Sequence, residues 1–325
     1  MSSRPRMEES NPIRLPDTRR VQRAGMSASE IKTHYRCPAV ATVIFRPDLS
    51  LLNDMVSTVT RDCSVVYVHM NGPHSEAVES CFEAVGAAVS RSAENVGLGA
   101  GLNRVMAAAA EAGHRHVLLL DQDSSPPEGL ATDLAARLQH LESLDHKIAA
   151  IGPRLSAPER SGYLAIKPHR RARAAGDPPG AVEFLPTSGT LISVEAWLRV
   201  GPFRGDYFIG GIDVEWGQRA WAHGFASVLV DDVTMVHRWG EINVDRGRPQ
   251  ILRQPAMRIH YYVRNATHGM TLSHMSFRWK RWQAVRLIGQ VFLLVRYRSD
   301  FSIGRLARAV RDGWSGRLGP LPSED

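Results

Sequence analysis

Cysteine is scarce in this chain. Cys37, Cys63 and Cys81 are the three among 325 residues. They form no Cys-x-x-Cys pair, and no histidine spacing around them resembles a zinc site. An odd, sparse set suits a reducing cytoplasm, where a thiol is a small hydrophobe. The first forty residues carry no apolar stretch of the kind a secretory signal needs, so the expected location is cytoplasmic. Long apolar runs are missing too. Leu287 to Val295 is nine residues, against roughly 20 for a spanning helix. No Gly-rich phosphate loop with an adjacent Lys or Arg follows the first strand, which counts against a nucleotidyltransferase.

What is present is an ordinary globular composition, 43% hydrophobic and 22% charged, with an uneven charge. Residues 246–317 hold fifteen Lys/Arg and two acids, Asp300 and Asp312. The net charge of +7 belongs to that quarter, which is expected to meet something anionic. The stretch 277–298 mixes Trp279, Trp282, Phe292 and Tyr297 with six basic residues and no acid. That pattern suits a helix lying on an anionic membrane surface. A helix packed on the core with a basic outer face, or buried in a dimer, is the alternative. No nucleic-acid motif accompanies the charge.

The chain divides into three expected regions. Residues 1–38, rich in Arg, Pro and Ser, read as disordered. Residues 39–245 alternate strand and helix patterns, which predicts a mostly parallel α/β sheet of Rossmann-like character. Strands are expected at 39–45, 64–69, 87–90, 116–120, 148–151, 181–185, 187–193, 226–230 and 234–237. Residues 246–325 form a basic helical extension, with helices at 257–269, 277–298 and 303–314. The segment 154–180 interrupts the alternation with four prolines and reads as a loop at the edge of the site.

The chain is organised around His116-Val117-Leu118-Leu119-Leu120-Asp121-Gln122-Asp123-Ser124. So apolar a run reads as a strand buried on both faces. It delivers two carboxylates to the carboxyl edge of a sheet, where open α/β folds bind ligands. Oxygens so placed suit Mg²⁺ or Mn²⁺, usually together with substrate phosphates. A solvated turn is the bland reading. Glu94-Asn95-Val96-Gly97-Leu98-Gly99-Ala100-Gly101-Leu102-Asn103 opens an alanine-rich helix. Its glycines allow close approach to a phosphate, or simply a tight turn against the sheet. Asp213 and Glu215 lie in a helix's first turn, where the dipole favours carboxylates.

In this order these pieces resemble family 2 glycosyltransferases of the GT-A fold, within them the rhamnosyltransferase branch. The matching residues span roughly 40–268. They include Val43-Ile44-Phe45-Arg46-Pro47, Asn95-Val96-Gly97 with Asn103, Asp121-Gln122-Asp123-Ser124 and Thr187-Ser188-Gly189-Thr190. Further on come Asp213-Val214-Glu215-Trp216 with Arg219, His237 with Gly240-Glu241, and Arg264-Asn265.

The resemblance implies inverting sugar transfer from a nucleotide diphosphate donor, typically dTDP-L-rhamnose. The acceptor would be a polysaccharide or lipid-linked glycan in cell-envelope synthesis. It implies a divalent metal on Asp123, with His237 as a second ligand and Asp121 nearby, and Asp213 as the base. Nucleotide contacts fall to Phe45, Pro47, Asn71, Asn95, Gly97, Asn103, Asp121 and Gln122. Sugar or acceptor contacts fall to Thr187, Ser188, Gly189, Glu215, Trp216, Arg219 and Trp239. One departure stands out. Where many members carry Asp-Asn after the second strand, this chain has Met70-Asn71. Asn71 or a backbone group then reads the base, or the donor differs. A UDP-sugar donor such as UDP-galactofuranose, and a catalytically inactive glycan- or membrane-binding scaffold, are the alternatives.

Overall fold

The computed structural model describes residues 38–63, 65–157, 162–163, 176–237, 255–297 and 302–321. The expected disorder of the N-terminal segment, the boundary at 245/246 and Trp239 lie outside the described residues.

Four strands build one half of a single sheet: β1 (Ala39–Ile44), β2 (Val66–Asn71), β3 (Ala88–Ser92) and β4 (His116–Asp121). They run parallel in the order β3-β2-β1-β4. Each return is a helix: α1 (Leu49–Asp62), α2 (Glu76–Glu83) and α3 (Leu98–Glu111). Asp48 starts α1 by accepting from the amides of Ser50 at 2.9 Å and Leu51 at 3.2 Å, satisfying donors that a helix start leaves open.

The second half begins after α4 (Leu130–Ser143) with β5 (Ile148–Ala157), paired with the short β6 (Gly162–Tyr163). Then come β7 (Ala181–Val182), β8 (Thr190–Ser193), α5 (Val194–Val200), α6 (Ile212–Ala222) and β9 (Ala226–Val236). The sheet continues β4-β8-β5-β9-β7. Here β8 is antiparallel to both β4 and β5, and β9 is parallel to β5.

Two details differ from the sequence reading. Thr187 to Gly189 form a turn, not the start of a strand, because Gly189 has φ of +78°. The two short strands expected at 226–230 and 234–237 are one strand. A register shift against Pro153 and Arg154 absorbs Asp231 to Val233.

The sheet is covered on both faces, and β4 shows how. Leu118 and Leu120 join one core with Val40, Ile44 and Leu134. Val117 and Leu119 join the other with Ala41, Leu102 and Trp197. Each leucine so buried contributes about 2 kcal/mol. A third cluster joins α7 (Ala256–Thr271), α8 (Phe277–Tyr297) and α9 (Ile303–Trp314) through Ile259, Val263, Leu287, Leu294 and Leu306.

Candidate active site

Parallel pairing carries the ends of β1, β2 and β4 to one sheet edge. The Asp-Gln-Asp turn leaves β4 there, closed by Ser124 N–H donating to the Asp121 carbonyl at 3.0 Å. Gln122 clips this turn to β1: its Oε1 accepts from Phe45 N at 2.7 Å, and its Nε2 donates to Phe45 O at 3.0 Å. Burial and then the charge of Asp123 raise the pKa of Asp121 to about 7, against the opposing charge of Arg258 on α7.

Two loops close against this turn. The Ser124 and Ser188 hydroxyls are 2.7 Å apart, and Gly189 N donates to Leu119 O at 2.8 Å. That brings Thr187-Ser188-Gly189 beside the carboxylates. A Cβ on Gly189 would lie 2.7 Å from Met235 Cε. On the other side Ser125 bridges Val236 in antiparallel fashion, and His237, the next residue, donates its amide to Ser156 O at 2.9 Å.

A second loop at this edge is built on Asn71. Its Nδ2 donates to Asn95 Oδ1 at 2.9 Å and its Oδ1 accepts from Val96 N at 2.8 Å. Asn95 Oδ1 also accepts from Gly97 N at 2.9 Å. Gly97 then starts α3 at φ of +86°. It lies against Phe208, a non-glycine residue held at φ of +63°, whose carbonyl accepts from Leu98 N at 2.6 Å. Backbone strain of that kind persists only where the surroundings impose it.

Asp213 stands in the first turn of α6, and its Oδ1 accepts from Val214 N at 2.9 Å. Burial, opposed by backbone hydrogen bonds and assisted by the charge of Asp121, raises its pKa to about 6. A carboxylate poised near neutrality suits proton transfer.

The loop before Asp213 is held from α7. Asn265 Nδ2 donates to the carbonyls of Tyr207, Ile209 and Gly210 at 3.0, 3.0 and 2.8 Å. Arg264, 2% exposed, donates to Gly319 O at 2.6 Å and to Asp206 O and Tyr207 O at 3.2 Å. The resemblance had pointed to both residues without assigning them a task. Arg258 and His274 were missed altogether, since nothing in a basic helical stretch marks which cation turns toward the sheet.

Four expected contact residues are committed elsewhere. Trp216 is 2% exposed; its indole N–H donates to Gly201 O at 3.0 Å and its ring packs on Phe203, so no face is left for a sugar. Glu215 is gripped by Arg219 Nε and Nη2 at 2.9 and 3.0 Å, with His274 Nε2 2.9 Å away. Arg219 also donates to Val200 O and Pro202 O. This pair ties α5 to α6 and does not face an acceptor. Asn103 exchanges two 2.8 Å hydrogen bonds with the backbone of Phe203. It braces the site and is 6% exposed. The Asn71 amide is likewise engaged, by the Asn95 side chain and the Val96 amide, and that of Gln122 by the Phe45 backbone. Pro47 is half-buried at the end of β1, and Phe45 is exposed at the same edge.

Among the described residues no three His, Cys, Asp or Glu side chains converge on one metal position. Two carboxylates in one turn, the charge of Asp123 raising the pKa of Asp121, are still oxygens of the kind a hard cation takes, and His237 follows the residue that bridges Ser125.

No family model matches the chain. A dTDP-rhamnosyl transferase, RfbF of Shigella flexneri, is 25% identical over 231 residues, covering 69% of this chain and 76% of that one. S. aureus TarS residues 1–349 share the fold at 10% identity, with a TM-score of 0.51 over 86% of this chain and 82% of that one. The same segment in complex with UDP-GlcNAc is 11% identical, with a TM-score of 0.50 over 85% and 80%. A longer TarS chain, 9% identical with a TM-score of 0.49, is spanned over 48% of its length by 85% of this one. The chain thus has the GT-A fold of these structures, and in sequence it is similar to a dTDP-rhamnosyl transferase.

Proposed function

We propose that the chain transfers L-rhamnose, with inversion, from dTDP-L-rhamnose to a hydroxyl of a polysaccharide or lipid-linked glycan in cell-envelope synthesis. What supports this reading is the charge coupling of Asp121 to both Asp123 and Asp213, together with the likeness to a dTDP-rhamnosyl transferase. Asp213 takes the proton of the acceptor hydroxyl as that oxygen attacks the anomeric carbon. The bond to the nucleoside diphosphate breaks on the opposite face of the sugar. The Asn95–Gly97 loop, the start of α3 and Phe45 cradle the nucleotide. Thr187, Ser188 and Gly189 border the sugar. Asp123 and Asp121, with His237, would hold Mg²⁺ or Mn²⁺, which supplies charge neutralisation to the diphosphate.

Titration calorimetry with dTDP-rhamnose, UDP-sugars and GDP-sugars, each with Mn²⁺ and with chelator, tests the reading. Metal-dependent binding of dTDP-rhamnose in preference to the others is expected. Preference for a UDP-sugar would retain the reaction but replace the donor. A folded protein that binds no donor would overturn the proposal in favour of a scaffold.

A further inference from the structure

Helix α8 has two apolar faces. Leu287 and Leu294 turn inward to α7 and α9. Phe277, Val285, Ile288 and Phe292 turn outward, 79%, 68%, 72% and 67% exposed. Their spacing of eight, three and four residues keeps them on one stripe. Helix α9 repeats the arrangement. Leu306 and Ala309 are buried, while Ile303 and Trp314 are 70% and 69% exposed. A stripe of this size on a helix surface marks a contact with something apolar.

Charge selects among apolar partners. Helix α8 carries five basic residues and no acid, and α9 carries Arg305, Arg308 and Arg311 against Asp312. Arg278 and Arg281 flank Phe277 and stay exposed. Arg286 lies over the rings of Trp282 at 5.0 Å and Tyr262 at 5.6 Å. Basic side chains extend their heads to lipid phosphates while their stems lie along the apolar stripe. A second copy of the chain fits less well, because a two-fold contact sets the same arginines against each other. Crossing the membrane is out of reach: no helix among the described residues is long and apolar enough.

We propose that the outward face of α8, continued by α9, docks on the surface of an anionic phospholipid bilayer. The stripe lies in the interface plane, with the arginines at headgroup level. The inference stands on surface geometry and does not depend on the donor or the reaction.

Flotation of the full chain with vesicles tests it. One set is phosphatidylcholine alone, the other phosphatidylcholine mixed with phosphatidylglycerol. The chain is expected to float with the anionic set, less so as salt rises, and with a blue shift of tryptophan emission. The double variant Ile288→Glu, Phe292→Glu should bind about tenfold more weakly with unchanged circular dichroism. Arg278→Gln with Arg281→Gln should lose part of the salt-sensitive binding and keep the fold. Absence of binding by folded wild type, or equal binding to both vesicle sets, would overturn the proposal. So would a concentration-dependent dimer in sedimentation equilibrium that the Ile288/Phe292 variant abolishes, since the face would then belong to a second copy.

Discussion

Asp213 is held at about 6 by burial first and by the charge of Asp121, against the pull of backbone hydrogen bonds. Both carboxylates therefore hold protons more tightly in the folded chain than in the unfolded one. A raised carboxylate stabilises the fold below its unfolded pKa and loses that contribution as pH rises through the folded value. From these two groups the melting temperature of the metal-free protein is expected to fall between about pH 4 and the folded values near 6 and 7. Added Mn²⁺ should flatten the decline. Asp123→Asn removes one cause of the shift and should stabilise the neutral-pH protein by on the order of 1 kcal/mol, while abolishing metal-dependent donor binding. Scanning calorimetry against pH, with and without Mn²⁺, measures both.

If Asp213 takes the acceptor proton, its loss acts on turnover and not on donor binding. Asp213→Asn keeps an oxygen for the Val214 amide, so the fold should survive. The rate constant for transfer is expected to fall about 10³-fold with donor affinity unchanged. In the wild type, activity should rise with pH through about 6. A pH–rate profile whose acid limb is absent would remove Asp213 from the base role.

Asn265 is the residue whose loss should reveal what α7 does for the site. Asn265→Ala leaves the carbonyls of Ile209 and Gly210 without their donor, while Tyr207 O keeps Arg264. At about 1 kcal/mol for each net hydrogen bond the cost is about 2 kcal/mol. Denaturant titration should show it, with a loss of transfer activity in the protein that stays folded.

Gly97→Ala tests the donor loop. A Cβ there would sit 2.8 Å from Phe208 atoms at φ of +86°, so the loop must move. Donor affinity should drop at least tenfold, a shift of about 1.4 kcal/mol. Gly113→Ala serves as the contrast: φ is also positive, but no atom lies within 4 Å of the added carbon. It should cost stability without touching donor binding.

The sheet and the position of the acidic residues were legible because their signals are local. An apolar run ending in Asp-Gln-Asp says where a strand stops and what it delivers. The glycines of Asn95–Gly101 announce a close approach. What the sequence could not display is which polar groups face backbone. Asn103, Gln122, Arg219 and Trp216 carry the residue types of a binding site, yet each serves a backbone carbonyl or amide of another segment. Those partners lie 15 to 100 residues away, and no periodicity records them. Likewise Asn265 looks like any helical asparagine until the loop it serves has been folded onto it.

The insertion of β8 between β4 and β5 sets an order on synthesis. As the chain leaves the ribosome, β1 to β4 can assemble with their crossover helices, since every pairing among them lies within the first 121 residues. β5 emerges next, but its place is one strand removed from β4. The open edge of β4 stays unfilled until Thr190–Ser193 arrives. In that interval the nascent chain exposes an apolar strand edge of the kind that mispairs or recruits a chaperone. Because Asp121 ends that strand, the sheet edge that carries it stays incomplete until residues 190–193 are made.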